Sequence, residues 1–160
     1  MDRYELDERF WSKVDKSGDC WLWTAALNDK GYGSFWDKVN RRQIPAHRAS
    51  YEGHHARILG RGLCVDHICH TRNCVRPKHL REASNKQNSE NRRSASRTSK
   101  SGVRGVSWHK KTGKWVAQVG HNYRRYHLGL FDSIEEAEVA AIAKRNELHT
   151  HNDKDRSLKC

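Results

Sequence analysis

The sequence predicts an α+β protein made of two small domains rather than one domain with a large core. The 160 residues are only 35% hydrophobic and 31% charged, which is too polar for one extensive interior. A Ser/Arg-rich stretch at residues 92–101 has no apolar anchor and is typical of a flexible linker. Short aromatic or alternating runs bounded by Gly, Asn and Asp predict strands on both sides of that linker.

The charge pattern and the N-terminal segment restrict the functional class. A formal net charge of +12 favours a polyanionic partner, and residues 92–131 contain ten basic side chains and no acidic one, as a nucleic-acid-binding surface does. The chain has no run of about 18 apolar residues, so we expect no membrane partner. The acidic, polar residues 1–8 argue against a signal peptide. We therefore expect a cytoplasmic, reducing environment, in which clustered Cys and His bind metal more often than they form disulfides.

Residues 1–91 are predicted to form the first domain. Apolar residues recurring every four positions predict an amphipathic helix over residues 1–16. Aromatic-rich runs between turn residues predict strands at 20–23, 31–36 and 44–51. The large side chains expected in the core are Trp21, Trp23, Tyr32 and Trp36. Residues 80–91 predict a helix whose polar face would present amides to a metal ion or a phosphate.

Residues 102–150 are predicted to form a second domain with a different pattern of secondary structure. Three runs with partial alternation predict a three-stranded antiparallel sheet, at residues 103–108, 114–119 and 123–128. A helix follows, because Ser133 and Glu136 form a capping-box pattern ahead of an alanine-rich segment. The polar residues 151–160 are expected to form a frayed tail.

Chemically active side chains are densest at residues 64–79. Cys69, Cys74 and His79 are ligands of the kind that zinc takes in closed tetrahedral sites. Such a site needs a fourth ligand. The candidates are Cys20, Cys64 and, more weakly, His70.

Oxygen donors and a further histidine lie beside that cluster. Asp66 and Asn88 carry the hard oxygen atoms that magnesium prefers. His67 can move a proton near neutral pH. The segment is therefore predicted to hold two metal sites of different character.

The spacing of these residues resembles the ββα-metal (HNH) nucleases, and more narrowly the His-Cys box homing endonucleases and phage-type HNH endonucleases. The resemblance covers residues 18–92 and rests on the pattern His67-x-Cys69-x4-Cys74-x4-His79-x8-Asn88. The upstream runs Cys-Trp-x-Trp, Gly-Tyr-Gly and Ala-His-Arg add to it. The resemblance implies a small zinc-stapled ββα-metal nuclease domain in which Cys20 supplies the fourth zinc ligand.

The same resemblance implies roles for the residues beside the zinc cluster. His67 would be the general base that activates water for attack on the scissile phosphate. Asn88 would bind a catalytic Mg²⁺ or Mn²⁺ ion, and Asp66, an acidic residue immediately before the base, would be a second ligand of that ion. Arg48 is either a phosphate clamp, since a guanidinium can grip phosphate oxygens bidentately, or a surface strand arginine.

The second domain resembles the plant-type AP2 DNA-binding domain that is found appended to phage and homing HNH endonucleases. The matching runs are Arg104-Gly-Val106, Gly113-Lys-Trp-Val-Ala117, Leu128-Gly-x-Phe131 and Glu135-Glu-Ala137. The resemblance implies a three-stranded antiparallel sheet packed on one helix, with Trp115 and Ala117 facing the helix and the other face in the major groove. The residues expected to face DNA are Arg104, Ser107, His109, Gln118, Arg125 and His127, with Lys111 near the backbone. At a base edge, arginine can fork onto guanine and glutamine onto adenine.

Together these resemblances imply a site-specific DNA endonuclease of the homing type, acting on double-stranded DNA in a phage-infected host cell or at the nucleoid. One active site per chain cuts one strand, so double-strand cleavage would require a homodimer or sequential nicking. The alternative is a non-catalytic, zinc-stabilised, DNA-binding transcriptional regulator, and a weaker one is an RNA-binding factor linked to ribosomes or tRNA. Asp66, His67 and Asn88 favour the enzyme, since a purely structural zinc module needs none of them.

Overall fold

The computed structural model describes residues 6–157, and these form two compact units that divide between Asn85 and Lys86. Every strand pairing is antiparallel, in three two-stranded sheets and one three-stranded sheet. The predicted α+β class is therefore confirmed, while the predicted domain boundaries stay predictions. Within residues 6–157, no helix is long and apolar enough to cross a membrane.

The N-terminal unit is built from short elements. In chain order they are α1 (Glu8–Trp11), β1 (Val14–Asp15), β2 (Leu22–Trp23), β3 (Ser34–Asp37), β4 (Arg42–Pro45), α2 (Ala46–His54), β5 (Leu63–His67), a 3-10 turn (Pro77–His79) and β6 (Leu80–Ser84). Three hairpin-like pairs result, β1 with β2, β3 with β4 and β5 with β6. The chain then enters α3 (Asn85–Glu90) across the division between the units.

An aromatic cluster forms the main core of this unit. The Phe10 ring is fully buried and lies 5.0 Å, centroid to centroid, from both Trp23 and Phe35. Gly33 permits this packing, because a Cβ atom there would lie 2.7 Å from the Trp23 ring. The expectation that Trp36 lies in the core is wrong, since 47% of it is exposed. On the short strand β3, Phe35 and Trp36 point to opposite sides, and only one of them can face the core.

Two helix predictions need correction. The helix expected over residues 1–16 is a single turn, α1, because Val14–Asp15 pair with Leu22–Trp23 as strands. Residues 1–5 lie outside the described residues. The helix expected over residues 80–91 is restricted to α3, because Leu80–Ser84 pair with β5 along their whole length. Pairing with a neighbouring strand has overridden local helix preference in both places.

The strand expected at residues 44–51 is also mostly wrong. β4 ends at Pro45, and α2 begins directly after it. Pro45 fits the N-cap position, where a proline loses no helical hydrogen bond. Arg48 therefore lies on a helix, and the alternative of a strand arginine is excluded.

The C-terminal unit contains α3 and one sheet packed on one long helix. After residues 92–101, which form neither helix nor strand, the elements are β7 (Val106–His109), β8 (Lys114–His121), β9 (Arg124–Phe131), α4 (Ile134–Leu148) and α5 (Asp153–Ser157). The strand order β7-β8-β9 is that of a meander. Small residues let α4 lie close to the sheet, since Ala117, Ala137 and Ala141 are fully buried against one another. Ser133 caps α4 by accepting a hydrogen bond from the Glu136 backbone N–H, as its sequence pattern predicts.

The end of the described chain is packed rather than frayed. Asp155 on α5 accepts a 2.5 Å hydrogen bond from Arg145 on α4, and both side chains are buried. Asn152, only 1% exposed, donates to the Asn146 side chain. The prediction of a polar tail missed this pairing, because a run of polar residues does not show whether a buried partner exists elsewhere in the chain.

Candidate active site and nucleic-acid interface

The loop between β5 and β6 carries most of the candidate site. β5 ends at His67 and β6 begins at Leu80, and these two residues are paired across the hairpin. The loop is tied to the strand that follows Cys20: the Val75 N–H donates to the Trp21 carbonyl at 2.7 Å, and Leu22 forms an isolated bridge with Cys74. These bonds bring an upstream cysteine next to residues that are far away in sequence.

Four potential metal ligands converge at this loop. The Sγ atoms of Cys20 and Cys74 each lie 3.6 Å from Nδ1 of His79. Together with Cys69, these residues place one ligand atom each within 4.8 Å of all the others. Cys64 is not in the group, since its thiol lies on β5 and donates to the Ala83 carbonyl at 3.3 Å. Of the candidates for a fourth ligand, the structure therefore brings Cys20 to the cluster.

The surroundings of the cluster suit a cation. His79 faces the thiols through Nδ1, while its Nε2 lies 3.3 Å from the Asp19 carboxylate. Metal-ligating histidines commonly donate their second ring nitrogen to a carboxylate in this way. The pKa of the Cys69 thiol is lowered, first because the Cys74 thiol donates to it, and the thiolate is the form that binds metal. Three sulfur donors and one imidazole form a set typical of structural zinc.

His67 lies at the start of the loop in a fixed orientation. Its side chain is buried, and Nε2 lies 2.9 Å from the Cys74 carbonyl oxygen. A carbonyl only accepts, so Nε2 carries the hydrogen and Nδ1 carries the lone pair that can take a proton. Burial lowers the pKa of His67, which favours the neutral imidazole that a general base needs.

A second histidine packs against His67. The ring of His47 on α2 lies 4.6 Å from the His67 ring, and Tyr32 lies 5.4 Å from the His47 ring and 5.9 Å from that of His67. His47 is buried, and its Nδ1 has no hydrogen-bond partner. Burial, with smaller contributions from His67 and Arg48, lowers the pKa of His47 to about 3. His47 is therefore neutral near neutral pH and places no charge beside His67.

Asp66 and Asn88, the predicted oxygen ligands, differ in environment. Asp66 is 6% exposed, and its Oδ2 accepts hydrogen bonds from Nε and Nη2 of Arg81 at 3.0 and 2.9 Å. These two bonds fix the orientation of the Asp66 carboxylate. Asn88 is exposed on α3.

Arg48, the predicted phosphate clamp, is half-buried and donates through Nε to Glu52 one turn later at 3.0 Å. It would have to exchange Glu52 for a phosphate oxygen to bind DNA.

The register of the three-stranded sheet separates its two faces. Successive residues of a strand point to opposite faces, and Ala117 on β8 faces α4. Gln118 therefore faces away from α4, as do its partner His127 and the pair Gly120 and Arg125. Ser107 and His109, paired with Val116 and Lys114, belong to the same face. We call this surface the outer face; it consists of Ser107, His109, Gln118, Arg125 and His127.

Arg104, the remaining arginine predicted to face DNA, lies before β7 and is turned into its own unit. Its guanidinium donates to the backbone carbonyls of Arg92 at 2.5 Å and Glu90 at 2.9 Å. Burial, and next the neighbouring Arg145, lower the pKa of Arg104 to about 10. In this structure Arg104 therefore links the segment before β7 to the end of α3 and the residues that follow it. Lys111 is exposed in the turn between β7 and β8, as a contact to the DNA backbone would require.

Comparison with known proteins agrees with both halves of this arrangement. Residues 45–90 match the family described as HNH endonuclease, and residues 101–151 match the AP2 domain. The chain joins an HNH segment to an AP2 segment. The HNH segment contains Asp66, His67 and the loop that carries the metal-ligand cluster, and the AP2 segment contains the outer face.

Two curated phage proteins resemble parts of the chain. Protein 7.7 of Escherichia phage T7 is 40% identical over 72 residues, which cover 45% of this chain and 53% of the relative. Protein 2.8 of the same phage is 35% identical over 77 residues, covering 48% of this chain and 50% of the relative. The chain therefore spans about half the length of these relatives. No solved structure is significantly similar to it.

Sequence reasoning gave no role to several residues that shape the HNH segment. His47 was visible only as the middle residue of Ala-His-Arg, and nothing in that run places it against His67. Arg81 is opposite Asp66 only because β6 is a strand, which the predicted helix concealed. Asp19 directly precedes Cys20, and an acidic residue beside a ligand was the one signal that could have identified it.

Proposed function

We propose that this chain, whose HNH and AP2 segments indicate a DNA nuclease, is a site-specific endonuclease of the homing type. The observation that carries the proposal is the orientation of His67 by the Cys74 carbonyl within the HNH segment. A structural zinc module has no need for a buried, neutral histidine beside its ligands. The AP2 and HNH segments support double-stranded DNA as the substrate, and the likeness to phage proteins supports a location in the cytoplasm of an infected cell.

His67 is the proposed general base. Because Nε2 donates to the Cys74 carbonyl, the proton taken from the attacking water goes to Nδ1. The buried surroundings keep the ring neutral before the reaction, and the carbonyl of Cys74 stabilises the imidazolium that forms afterwards. Arg48, on the same helix as His47, is the proposed phosphate clamp, exchanging Glu52 for a phosphate oxygen of the substrate.

Asp66 and Asn88 are the proposed ligands of a catalytic Mg²⁺ or Mn²⁺ ion. A carboxylate and an amide oxygen are hard donors that fit such an ion. The ion would neutralise charge on the scissile phosphate and on the leaving oxygen. Arg81 orients the Asp66 carboxylate through its ion pair at 2.9 Å.

Cys20, Cys69, Cys74 and His79 are the proposed ligands of one structural zinc ion. Such an ion would join the segment before β2 to the loop that carries His67. In its described part, residues 6–85, the N-terminal unit has only two-stranded sheets, which are marginal on their own, so a metal staple here would contribute folding free energy directly.

The outer face of the AP2 segment is the proposed DNA-binding surface. It carries Arg125, His109 and His127, all exposed, and the polar Ser107 and Gln118. The neighbouring Lys111 would contact a phosphate. Arg104 does not take part, because its guanidinium is held by backbone carbonyls within the unit.

A cleavage assay on supercoiled plasmid carrying DNA from the genomic surroundings of the coding gene tests this proposal. We expect Mg²⁺-dependent cutting, and a loss of about 10²–10⁴-fold in His67→Ala, the range typical of a general base. Binding of the same DNA should be unchanged in this variant. Nicked product would indicate one chain acting on one strand, and linear product would indicate a homodimer or two sequential cuts.

His70→Ala is the matched control, since His70 lies on the same loop and is not a proposed base. A wild-type protein that binds the DNA but never cuts it with Mg²⁺ or Mn²⁺ would contradict the proposal and favour a DNA-binding regulator. Equal loss of cutting in both variants would assign the effect to loop structure rather than to proton transfer.

A further inference from the structure

A second group of metal-ligand side chains lies within the C-terminal unit. It consists of Glu90 at the end of α3, His121 at the end of β8 and His149 directly after α4. One ligand atom from each lies within 4.8 Å of the other two. Neither the HNH chemistry nor the outer face uses these residues.

The carboxylate of Glu90 is incompletely satisfied. Its Oε1 lies 3.1 Å from Nδ1 of His121, while its Oε2 is buried without a hydrogen-bond partner. Glu90 is only 7% exposed. A buried carboxylate oxygen left without a partner is costly, and a bound cation would satisfy it.

His149 is oriented as a metal-ligating histidine would be. It is 5% exposed, and its Nε2 lies 3.3 Å from the Gly120 carbonyl oxygen. The carbonyl only accepts, so Nε2 carries the hydrogen and Nδ1 is left as the ligand atom. Burial lowers the pKa of His149, which favours the neutral form that binds metal. The rings of His121 and His149 are stacked with centroids 5.7 Å apart.

Two cationic side chains also touch the group. Nη2 of Arg104 lies 3.3 Å from Nδ1 of His149, and Lys86 Nζ lies 3.5 Å from Oε1 of Glu90. Lys86 is about half exposed and can turn to solvent. Arg104 can release the ring nitrogen while keeping its bonds to the carbonyls of Glu90 and Arg92. Both contacts can therefore be lost on metal binding without disruption of the fold.

We propose that Glu90, His121 and His149 bind a divalent transition-metal ion, of which zinc is the best fit. Two imidazoles and one carboxylate are a donor set that zinc accepts, with a water molecule as the fourth ligand. The ion would tie the end of α3 to β8 and to the end of α4. It would thereby fix the short helix on which Asn88 lies two positions before Glu90. This inference does not depend on the nuclease activity.

Metal analysis of the full chain, dialysed against buffered micromolar free zinc, tests the proposal. We expect about two zinc ions per chain in the wild type, and about one in His121→Gln and in Glu90→Gln. His127→Gln, which changes a histidine on the outer face of the same sheet, should keep about two. A wild-type chain that saturates at about one zinc, or a His121→Gln chain that keeps about two, would overturn the proposal.

Cobalt substitution identifies which site is lost. The cysteine cluster should give an intense thiolate-to-cobalt charge-transfer band, whereas the Glu90 group should add only weak ligand-field absorption. We expect His121→Gln to lose the ligand-field contribution and to keep the charge-transfer band in full. Loss of the charge-transfer band in His121→Gln would assign the missing ion to the cysteine cluster and contradict the proposed site.

Discussion

The two units of the chain are stabilised in different ways. The N-terminal unit consists of two-stranded sheets around the aromatic cluster of Phe10, and its loop between β5 and β6 carries most of the proposed zinc ligands. The C-terminal unit has a continuous three-stranded sheet packed on α4, supported by the buried pair of Arg145 and Asp155. We propose that the first depends on a metal ion bound at this loop, whereas the second has apolar packing and a buried ion pair.

This difference has a consequence for function. In the N-terminal unit, the proposed base His67 and the proposed zinc ligand Cys69 are two positions apart, so folding and chemistry depend on the same loop. In the C-terminal unit, the outer face is on the opposite side of the sheet from the alanine core. We therefore expect DNA binding to survive changes that abolish cleavage.

Removal of the proposed zinc should give the largest effect. Cys69→Ser should unfold the N-terminal unit, because structural zinc contributes about 10–16 kcal/mol in small zinc domains. Cleavage should be lost, while the amides of β8 stay protected from hydrogen exchange. Hydrogen exchange measured by mass spectrometry, with a DNA-binding assay, would show whether the two units respond separately.

Cys64→Ser is the matched control for this experiment. Cys64 lies on β5 outside the cluster, and its thiol donates a weak hydrogen bond to the Ala83 carbonyl. We expect nearly normal zinc content and cleavage in this variant. If the amides of β8 also lost protection in Cys69→Ser, the units would not be independently stable, and the contrast between them would fail.

Replacement of His47 should have a smaller effect, on the pH dependence of the unfolding free energy of the N-terminal unit. Its folded-state pKa is about 3, below the ordinary value of 6.5, so the unfolded chain binds a proton that the folded chain does not. Stability is therefore lost as pH falls below the unfolded pKa, by about 2 kcal/mol between pH 6.5 and 5. In His47→Phe this loss should be absent, as urea unfolding followed by tryptophan fluorescence at both pH values would show.

His54→Phe is the comparison for that measurement. His54 is exposed at the end of α2, so its replacement should leave the acid sensitivity of the N-terminal unit unchanged. Zinc content must be measured at each pH to separate ligand protonation from the effect of His47. If the unfolding free energy of His47→Phe fell between the two pH values by as much as that of the wild type, His47 would not be the cause of the acid sensitivity.

The sequence revealed what is local and concealed what is distant. Cys69, Cys74 and His79 were recognisable because they are close together, and the alternating runs after residue 102 correctly predicted the sheet. The group of Glu90, His121 and His149 was invisible, since its members come from three elements that only the fold brings together.

Two further expectations depended on contacts that the sequence does not show. Residues 80–84 belong to the predicted helix because Leu, Arg, Glu and Ala all favour helix locally, whereas the pairing with β5 that makes them a strand is not visible in the sequence. The resemblance to the AP2 domain implies that Arg104 faces DNA, but a resemblance does not reveal the orientation of a guanidinium in this chain. In the structure its guanidinium points to backbone carbonyls.

Two adjacent arginines on β9 allow the smallest and most specific test of the contrast. Arg125 pairs with Gly120 on the outer face, whereas Arg124 pairs with His121 and therefore belongs to the opposite face. Both are exposed. If Arg125 contacts a phosphate, Arg125→Ala should reduce the slope of log affinity against log salt by about 1, and Arg124→Ala should leave it unchanged.

Cleavage of fully bound DNA should be normal in both variants, because neither residue belongs to the unit that carries His67. A larger effect from Arg124→Ala would mean that DNA approaches the face that packs on α4, which the buried alanines exclude, and the AP2 segment would then need a different binding mode.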